Sequence, residues 1–364
     1  MSKRFTIVQN SLKTVYLFRY SYIKELVKLG KVTVIAPIDD VHAKNELLSL
    51  GVNIAPIPHF EVLIGRLISY FLMNAFVLKE RLLGAVIVCH FIVTLLMCFF
   101  SLVPFNDKLL VSIEGLGSLF SHPSKIRRAL AFLLRQSSAR VIFCNHDERK
   151  AIGRESDVVA GGIGVDLERF PSKESVELKD GKYHLLYVGR LIKDKGVFDA
   201  IEVLRRLKQA NVPVVLDLVG DIYPNNPTSL SDSDIKQLET EFGNSINFLG
   251  FTHSVQHWYI DDHILLLPSK REGFPVCVME ASASGIPVVG YSVPGMSDAI
   301  SPKVNGLLAN YGDVDELTKL TKSLLSLETL EQYRVSSSLF ALRHFSRQRK
   351  SENMIELIRK LCNE

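Results

Sequence analysis

Two carboxylates stand on either side of an expected helix start in the stretch 268–289, PSKREGFPVCVMEASASGIPVV. Glu272 lies in a polar loop, and Glu280 follows with seven residues between them. The apolar run at 264–267 reads as a buried strand. Pro275 suits the first position of a helix, where its missing N–H costs nothing. The pattern predicts a helix over 276–284, ended by Gly285 and kept from resuming by Pro287, with the next strand opening at Val288. The unpaired N–H groups at such a helix start form an anion site. A diphosphate held there would have a carboxylate on each side, one for ribose hydroxyls and one for sugar hydroxyls. That is an arrangement for a nucleotide sugar. By spacing alone, a helix carrying a chance pair of acids explains as much. The whole string is more specific: Glu-Gly-Phe-Pro, the seven-residue interval and Ala-x-Gly-x-Pro-Val-Val.

A second strand, loop and helix start carries cations. A strand over 185–188 leads into Gly189-Arg190-Leu191-Ile192-Lys193-Asp194-Lys195-Gly196 and a helix over 197–209. Arg190 offers a planar fork and Lys195 a point charge, both suited to a diphosphate. In isolation each is an ordinary surface charge.

Together these two strings resemble the signatures of retaining glycosyltransferases of family 4. The resemblance covers nearly the whole chain, strongly in the second half and weakly in the first. It implies an α/β chain with the GT-B fold, two Rossmann-like doubly wound parallel-sheet domains facing a central cleft. By resemblance, Glu272 contacts the transferred sugar and Glu280 the ribose. Gly273, Phe274, Pro275 and Val276 complete that side of the donor site, and Gly189, Arg190 and Lys195 hold the diphosphate. The catalytic set expected is Glu272, Arg190, Lys195 and Glu114. The turn Gly250-Phe251-Thr252 borders the base pocket, with Phe251 open between stacking on a base and packing in the core. Pro294-Gly295-Met296 is expected on a loop facing the cleft.

The first half alternates strands (5–8, 32–36, 52–56, 85–90, 108–113, 141–144) with helices, which implies a doubly wound parallel sheet. Ligands meet such sheets at the carboxyl ends of the strands. Relatives carry glycines in the loop 9–15; this chain has none. Either that loop stands back or its polar groups serve instead. After the strand ending at Ile113 come Glu114-Gly115-Leu116-Gly117, and close glycines permit a tight turn beside a ligand. This segment, through Phe120, resembles the family's Gly-Leu-Gly segment, although many relatives have His where Glu114 stands. Glu114 is open to three roles: taking a proton from the acceptor hydroxyl, binding a sugar, or structure. With Gly115, Gly117 and His90, at the end of its strand, it forms the expected acceptor side. The domains read as 1–170, a linker at 171–182, a donor domain at 183–344, and a terminal helix at 345–364 crossing back to the first domain. Asn305-Gly306 suggests a hairpin.

A net charge of +4 gives no argument for nucleic acid. The five cysteines form no Cys-x-x-Cys pair, which fits reduced thiols in a cytoplasmic protein. No signal peptide is expected before the first strand. The run 82–106 lacks Asp, Glu, Lys and Arg up to Asn106. It is long enough to span a bilayer, but its β-branched first part and Pro104 favour a buried strand followed by a buried helix. Asp232-Ser233-Asp234 and Asp313-Val314-Asp315 read as helix caps rather than metal ligands, so no metal or cofactor is expected in catalysis. Hydrophobic residues make up 47% of the chain. The apolar helix expected at 62–83 and the basic amphipathic helix at 123–136 suit peripheral attachment to the inner membrane face.

The function expected is transfer, with retention, of an N-acetylhexosamine or hexose from a nucleotide donor of the UDP class. The acceptor expected is a saccharide linked to a lipid diphosphate, in surface polysaccharide synthesis such as lipopolysaccharide or capsule. Two other readings remain: a sugar-nucleotide epimerase on the same scaffold, and a silent nucleotide-sugar-binding module.

Overall fold

The computed structural model describes residues 3–104, 106–117, 124–172, 174–252 and 254–363. The segment around Ser118, Leu119 and Phe120, and the expected helix start at Pro123, lie outside the described residues. The chain divides into two compact units: Met1–Ile163 with Arg347–Glu364, and Gly164–Ser346.

In the first unit the elements run β1 (Lys3–Val8), α1 (Leu12–Val27), β2 (Gly30–Ile35), β3 (Pro37–Ile38), α2 (Val41–Ser49), β4 (Asn53–Ile54), β5 (Ile57–Pro58), α3 (Leu63–Leu82), β6 (Val86–His90), α4 (Ile92–Met97), α5 (Phe99–Leu102), β7 (Leu109–Ile113), α6 (Lys125–Gln136), β8 (Arg140–Phe143), α7 (His146–Ile152) and β9 (Val158–Val159). The main sheet has the order β4-β2-β1-β6-β7-β8-β9, and every pairing is parallel. All of β6 is buried, as a sheet covered on both faces requires. One face packs on α3 to α6 through Met73, Leu95, Leu102 and Leu134. The uncharged run after Leu82 is β6 and two short helices, broken at Cys98 where φ is −111° and ψ 17°. Among the described residues no helix is long and apolar enough to cross a membrane.

In the second unit the order of elements is β10 (Tyr183–Val188), α8 (Val197–Gln209), β11 (Val214–Val219), α9 (Asp232–Phe242), β12 (Ile246–Gly250), α10 (Gln256–Asp261), β13 (Ile264–Leu267), α11 (Val276–Ala283), β14 (Val288–Tyr291), α12 (Met296–Ala299), β15 (Gly306–Ala309), α13 (Val314–Ser323) and α14 (Leu327–His344). The sheet order is β12-β11-β10-β13-β14-β15, again parallel throughout. Gly306 therefore does not turn a hairpin. It opens a parallel strand, and a Cβ there would sit 2.1 Å from Val288 O, so glycine permits close sheet pairing. The capping readings are seen directly: Ser231 and Asp234 form a reciprocal capping box on α9, and the Asp313 side chain accepts from Glu316 N on α13.

The segment expected as a linker at 171–182 is counted within the second unit, where His263 Nε2 bonds Glu177 O at 2.7 Å and Lys179 pairs with Asp261 at 3.1 Å. The first unit ends at Ile163 rather than at residue 170. The terminal helix α15 (Arg347–Asn363) is part of the first unit, where Ile355, Ile358 and Leu361 share a core with Ile23 and Leu26 of α1.

Candidate functional site

Each large sheet reverses its strand order once, between β1 and β6 and between β10 and β13. At such a switch point neighbouring connections leave in opposite directions and open a crevice beyond the carboxyl ends of the strands. The loops after β1, β10 and β13 lie at these two places, and the Glu114 loop follows β7, the neighbour of β6.

In the second unit, β10 and β13 pair directly, so the loops after them are neighbours. Residues Lys193–Lys195 make one 3-10 turn, and Gly196 ends it with φ +78°. A Cβ at Gly196 would stand 2.0 Å from Pro268 O, so only glycine lets the two loops touch. Lys270 N donates to Asp194 O at 3.0 Å. Across this junction Lys195 Nζ donates to Glu272 Oε1 at 2.6 Å. The backbone of Glu272 is held in turn: its N–H donates to Pro294 O at 3.1 Å. A Cβ on Gly295 would come within 2.3 Å of Glu272 O, so this loop too is closely packed.

Pro275 is the residue before α11, with ψ 121°, and Val276 is the first helical residue. The proline thus caps the helix rather than starting it, and Gly273 and Phe274 precede it in the loop. Glu280, one turn into α11, accepts from Tyr259 OH at 3.0 Å. Cys277 lies between the acids. Burial pushes its thiol pKa up; the charges of Glu272 and Glu280 push the same way, and Lys195 opposes them. Gly189 leaves β10 with its N–H on Val219 O at 3.0 Å. The Arg190 guanidinium lies over the Tyr223 ring, 5.2 Å from its centroid, on the exposed side of the loop. The Tyr187 hydroxyl reaches both Arg190 O (2.8 Å) and Lys195 O (3.3 Å), fixing the loop from beneath. Phe251 is 64% exposed, which removes the core reading. Its N–H donates to Asp221 Oδ1 at 3.0 Å.

In the first unit a buried hydrogen-bonded chain spans the ends of β6 and β7. Tyr22 OH meets His90 Nε2 at 2.6 Å, and His90 Nδ1 meets Glu114 Oε1 at 3.0 Å. Ser112 Oγ donates to the same oxygen at 2.8 Å, while Arg19 forms an ion pair with Glu114 Oε2. Arg19 Nε also donates to Gln9 Oε1 at 3.3 Å, so the loop without glycines contributes polar groups. Burial and the Arg19 charge lower the His90 pKa to about 4, leaving a neutral ring. With one ring proton, Nδ1 donates to Glu114 and Nε2 accepts from Tyr22. Burial alone would raise the Glu114 pKa, but Arg19 and His90 outweigh it and bring it to about 2. Glu114 is therefore a fixed anion. Gly115 and Leu116 donate their N–H groups to Glu148 at 3.4 and 2.9 Å, which shapes the turn; Gly115 and Gly117 have φ of 108° and 65°.

A cavity of about 140 Å³ opens beside this chain. Its walls include Arg19, Tyr22, Ser112 and Glu114, and Lys350 from α15. The Lys350 Nζ donates to Ala160 O.

The sequence reading missed Arg19, Tyr22, Tyr187, Tyr223 and Tyr259. A signal for Arg19 existed: it falls on the apolar stripe of α1 with Leu12, Val15, Tyr22, Ile23 and Leu26, where a charge needs a buried partner.

Among the described residues one group has metal-ligand chemistry: His184, Asp217 and Asp262, all buried. His184 Nδ1 bonds Asp217 Oδ2 at 2.6 Å, and Asn247 Nδ2 donates to Asp217 Oδ1 at 2.6 Å. These bonds occupy the Asp217 carboxylate, and His184 lies near the amino end of β10, opposite the loops that carry Lys195 and Glu272.

Residues 168–337 match the family model described as glycosyl transferases group 1. The amylovoran biosynthesis glycosyltransferase AmsK of Erwinia amylovora is 31% identical over 171 residues, 43% of this chain and 39% of that protein. The capsular polysaccharide biosynthesis glycosyltransferase CapM of Staphylococcus aureus is 27% identical over 193 residues, 50% of this chain and 49% of that protein. The chain thus matches less than half the length of each of these two relatives. Among solved structures, Alr3699/HepE of Anabaena in complex with UDP-glucose superimposes with a TM-score of 0.73 at 18% identity, covering 98% of this chain and 99% of that one. The chain has the α/β GT-B fold, built from two Rossmann-like units.

Proposed function

We propose that the chain is a glycosyltransferase of polysaccharide biosynthesis that moves a sugar, with retention, from a UDP-linked donor to a saccharide acceptor. One observation carries the reading: the Lys195–Glu272 contact joins the cationic and acidic loops at a strand-order switch point. The match of residues 168–337 and the names of the relatives support it. The UDP-glucose in the Anabaena structure supports a UDP donor.

In this reading Arg190 and Lys195 bind the diphosphate, Glu272 accepts from the hydroxyls of the transferred sugar, and Glu280 from those of the ribose. The bond between the anomeric carbon and the diphosphate oxygen breaks. The acceptor oxygen bonds to the same face, and its proton goes to the leaving diphosphate. Arg190 and Lys195 stabilise the charge that develops on that group. Glu114, held ionised by Arg19, serves as a hydrogen-bond acceptor for sugar hydroxyls rather than as a strong base. No metal is assigned a role; turnover in chelator equal to turnover in added divalent cation is the expected outcome.

The acceptor is proposed to be lipid-linked. Leu63, Ile64 and Phe71 of α3 are about three-quarters exposed, and α6 carries Lys125, Arg127, Arg128 and Arg135 beside exposed Ile126 and Phe132. Such a surface suits anionic lipid. Co-sedimentation with anionic vesicles at low and high salt tests this; no binding in either condition removes it.

Titration with nucleotide sugars, followed by UDP release with and without acceptor, tests the main reading. Donor conversion without acceptor would identify an epimerase. Binding without turnover under any acceptor would identify a silent module.

A further inference from the structure

We propose that the cavity in the first unit is a subsite for a carboxylated sugar, with the Lys350 ammonium as the partner of its carboxylate. The inference rests on the glycosyltransferase reading, in which this sugar belongs to the acceptor.

The argument begins with charge. Two cations and one anion named above line the cavity: Arg19, Lys350 and Glu114. Arg19 and Glu114 neutralise each other. Lys350 is left with the Ala160 carbonyl, and no carboxylate among the described residues lies within ion-pair distance of it. Burial lowers its pKa to about 8, which still leaves it largely charged at neutral pH. The ammonium is half-buried, and the carbonyl satisfies one of its three donors. A ligand carboxylate supplies the missing charge.

Size and shape narrow the ligand. A cavity of about 140 Å³ is of the size that takes one six-membered ring. Ser112, Glu114 and Asn353 offer polar atoms for ring hydroxyls, while Phe18 and Leu357 offer apolar surface for the C–H face of a pyranose. A phosphate fits less well: it asks for a guanidinium fork or several N–H donors, and the guanidinium present is already engaged by Glu114.

The test uses the full chain and three probes: D-glucuronate, D-glucose and inorganic phosphate, titrated by calorimetry or ligand-observed NMR. Glucuronate should bind at least tenfold more tightly than either other probe. Lys350→Met should erase the difference between glucuronate and glucose, and Lys350→Arg should retain part of it, with thermal melts showing both variants folded. Equal affinity for glucuronate and glucose, a preference that survives Lys350→Met, or phosphate binding as tightly as glucuronate overturns the proposal. UDP is titrated in parallel. UDP binding without a glucuronate preference overturns this inference alone, whereas absent UDP binding overturns the glycosyltransferase reading beneath it.

Discussion

Lys195 Nζ and Glu272 Oε1 meet at 2.6 Å although 77 positions separate them in the chain. The contact ties the loop after β10 to the loop after β13. Two groups proposed to bind one ligand that also hold each other act as a unit, so their removal should not be additive. Lys195→Ala and Glu272→Ala are each expected to reduce transfer by roughly two to three orders of magnitude. The double variant should be little worse than either single one. Steady-state rates of UDP release check this; near-normal rates in either single variant refute the assignment.

Gly295→Ala leaves every charged group in place and still should disturb the donor site. Its Cβ would lie 2.3 Å from Glu272 O and 2.6 Å from Gly273 O, at a φ of +79°. Both the clash and the backbone conformation oppose the substitution, at a cost of about 1–3 kcal/mol. The measurable outcome is weaker UDP-sugar binding together with a lower denaturation midpoint. Unchanged donor affinity would show that the loop does not set the position of Glu272.

Phe251 offers the opposite separation of stability from binding. Its ring is 64% exposed, so Phe251→Ala should change stability by less than about 0.5 kcal/mol. If the ring stacks on the base, UDP should bind about tenfold more weakly, while free phosphate binding is unaffected. Isothermal titration distinguishes these, and equal UDP affinity in the two proteins rejects the stacking role.

Acid should act on the first unit through His90 and Glu114. His90 has a folded-state pKa lowered from 6.5 to about 4. The unfolded chain therefore binds more protons between those values, and stability falls as pH drops from about 6.5 through 4. Glu114, lowered from 4.5 to about 2, extends the loss to more acid pH with the same sign. The buried histidine contributes about 3 kcal/mol across its window. His90→Gln should flatten the stability-pH curve between pH 6.5 and 4, measured by denaturant titration. Arg19→Met should destabilise by about 3–5 kcal/mol at neutral pH, because it strands the buried Glu114 carboxylate. A curve for His90→Gln that parallels the unsubstituted protein would show that the ring is not buried as a neutral group.

How much of this was legible follows the range of the forces involved. The units strand–loop–helix around Lys195 and Glu272 could be read because their signals are local: an apolar run, a glycine stop, a proline. Val197–Gln209 and Val214–Val219 fall where the pattern puts them. Pro275 lies one position outside the helix, since a proline serves a cap about as well as a first turn. Gly306 misled because Asn-Gly is a local hairpin signal, whereas β15 is set by parallel pairing with β14. His90 and Glu114 were singled out by their place after strands. What joins them, Arg19 and Tyr22, comes from a helix 68 to 95 positions away, and no local pattern encodes such a contact. The expected linker at 171–182 looked unstructured because its anchors, Asp261 and His263, are distant in sequence.

Val165 N donates to Phe345 O at 2.7 Å, and Val165 pairs with Ser346 as a parallel bridge. The two ends of Gly164–Ser346 are thus side by side, an insert with its entry and exit stitched together. Excision of 164–346 leaves a gap that a short glycine-serine bridge can close with little loop entropy. Whether the first unit then folds alone is read directly from the thermal melt of the bridged variant.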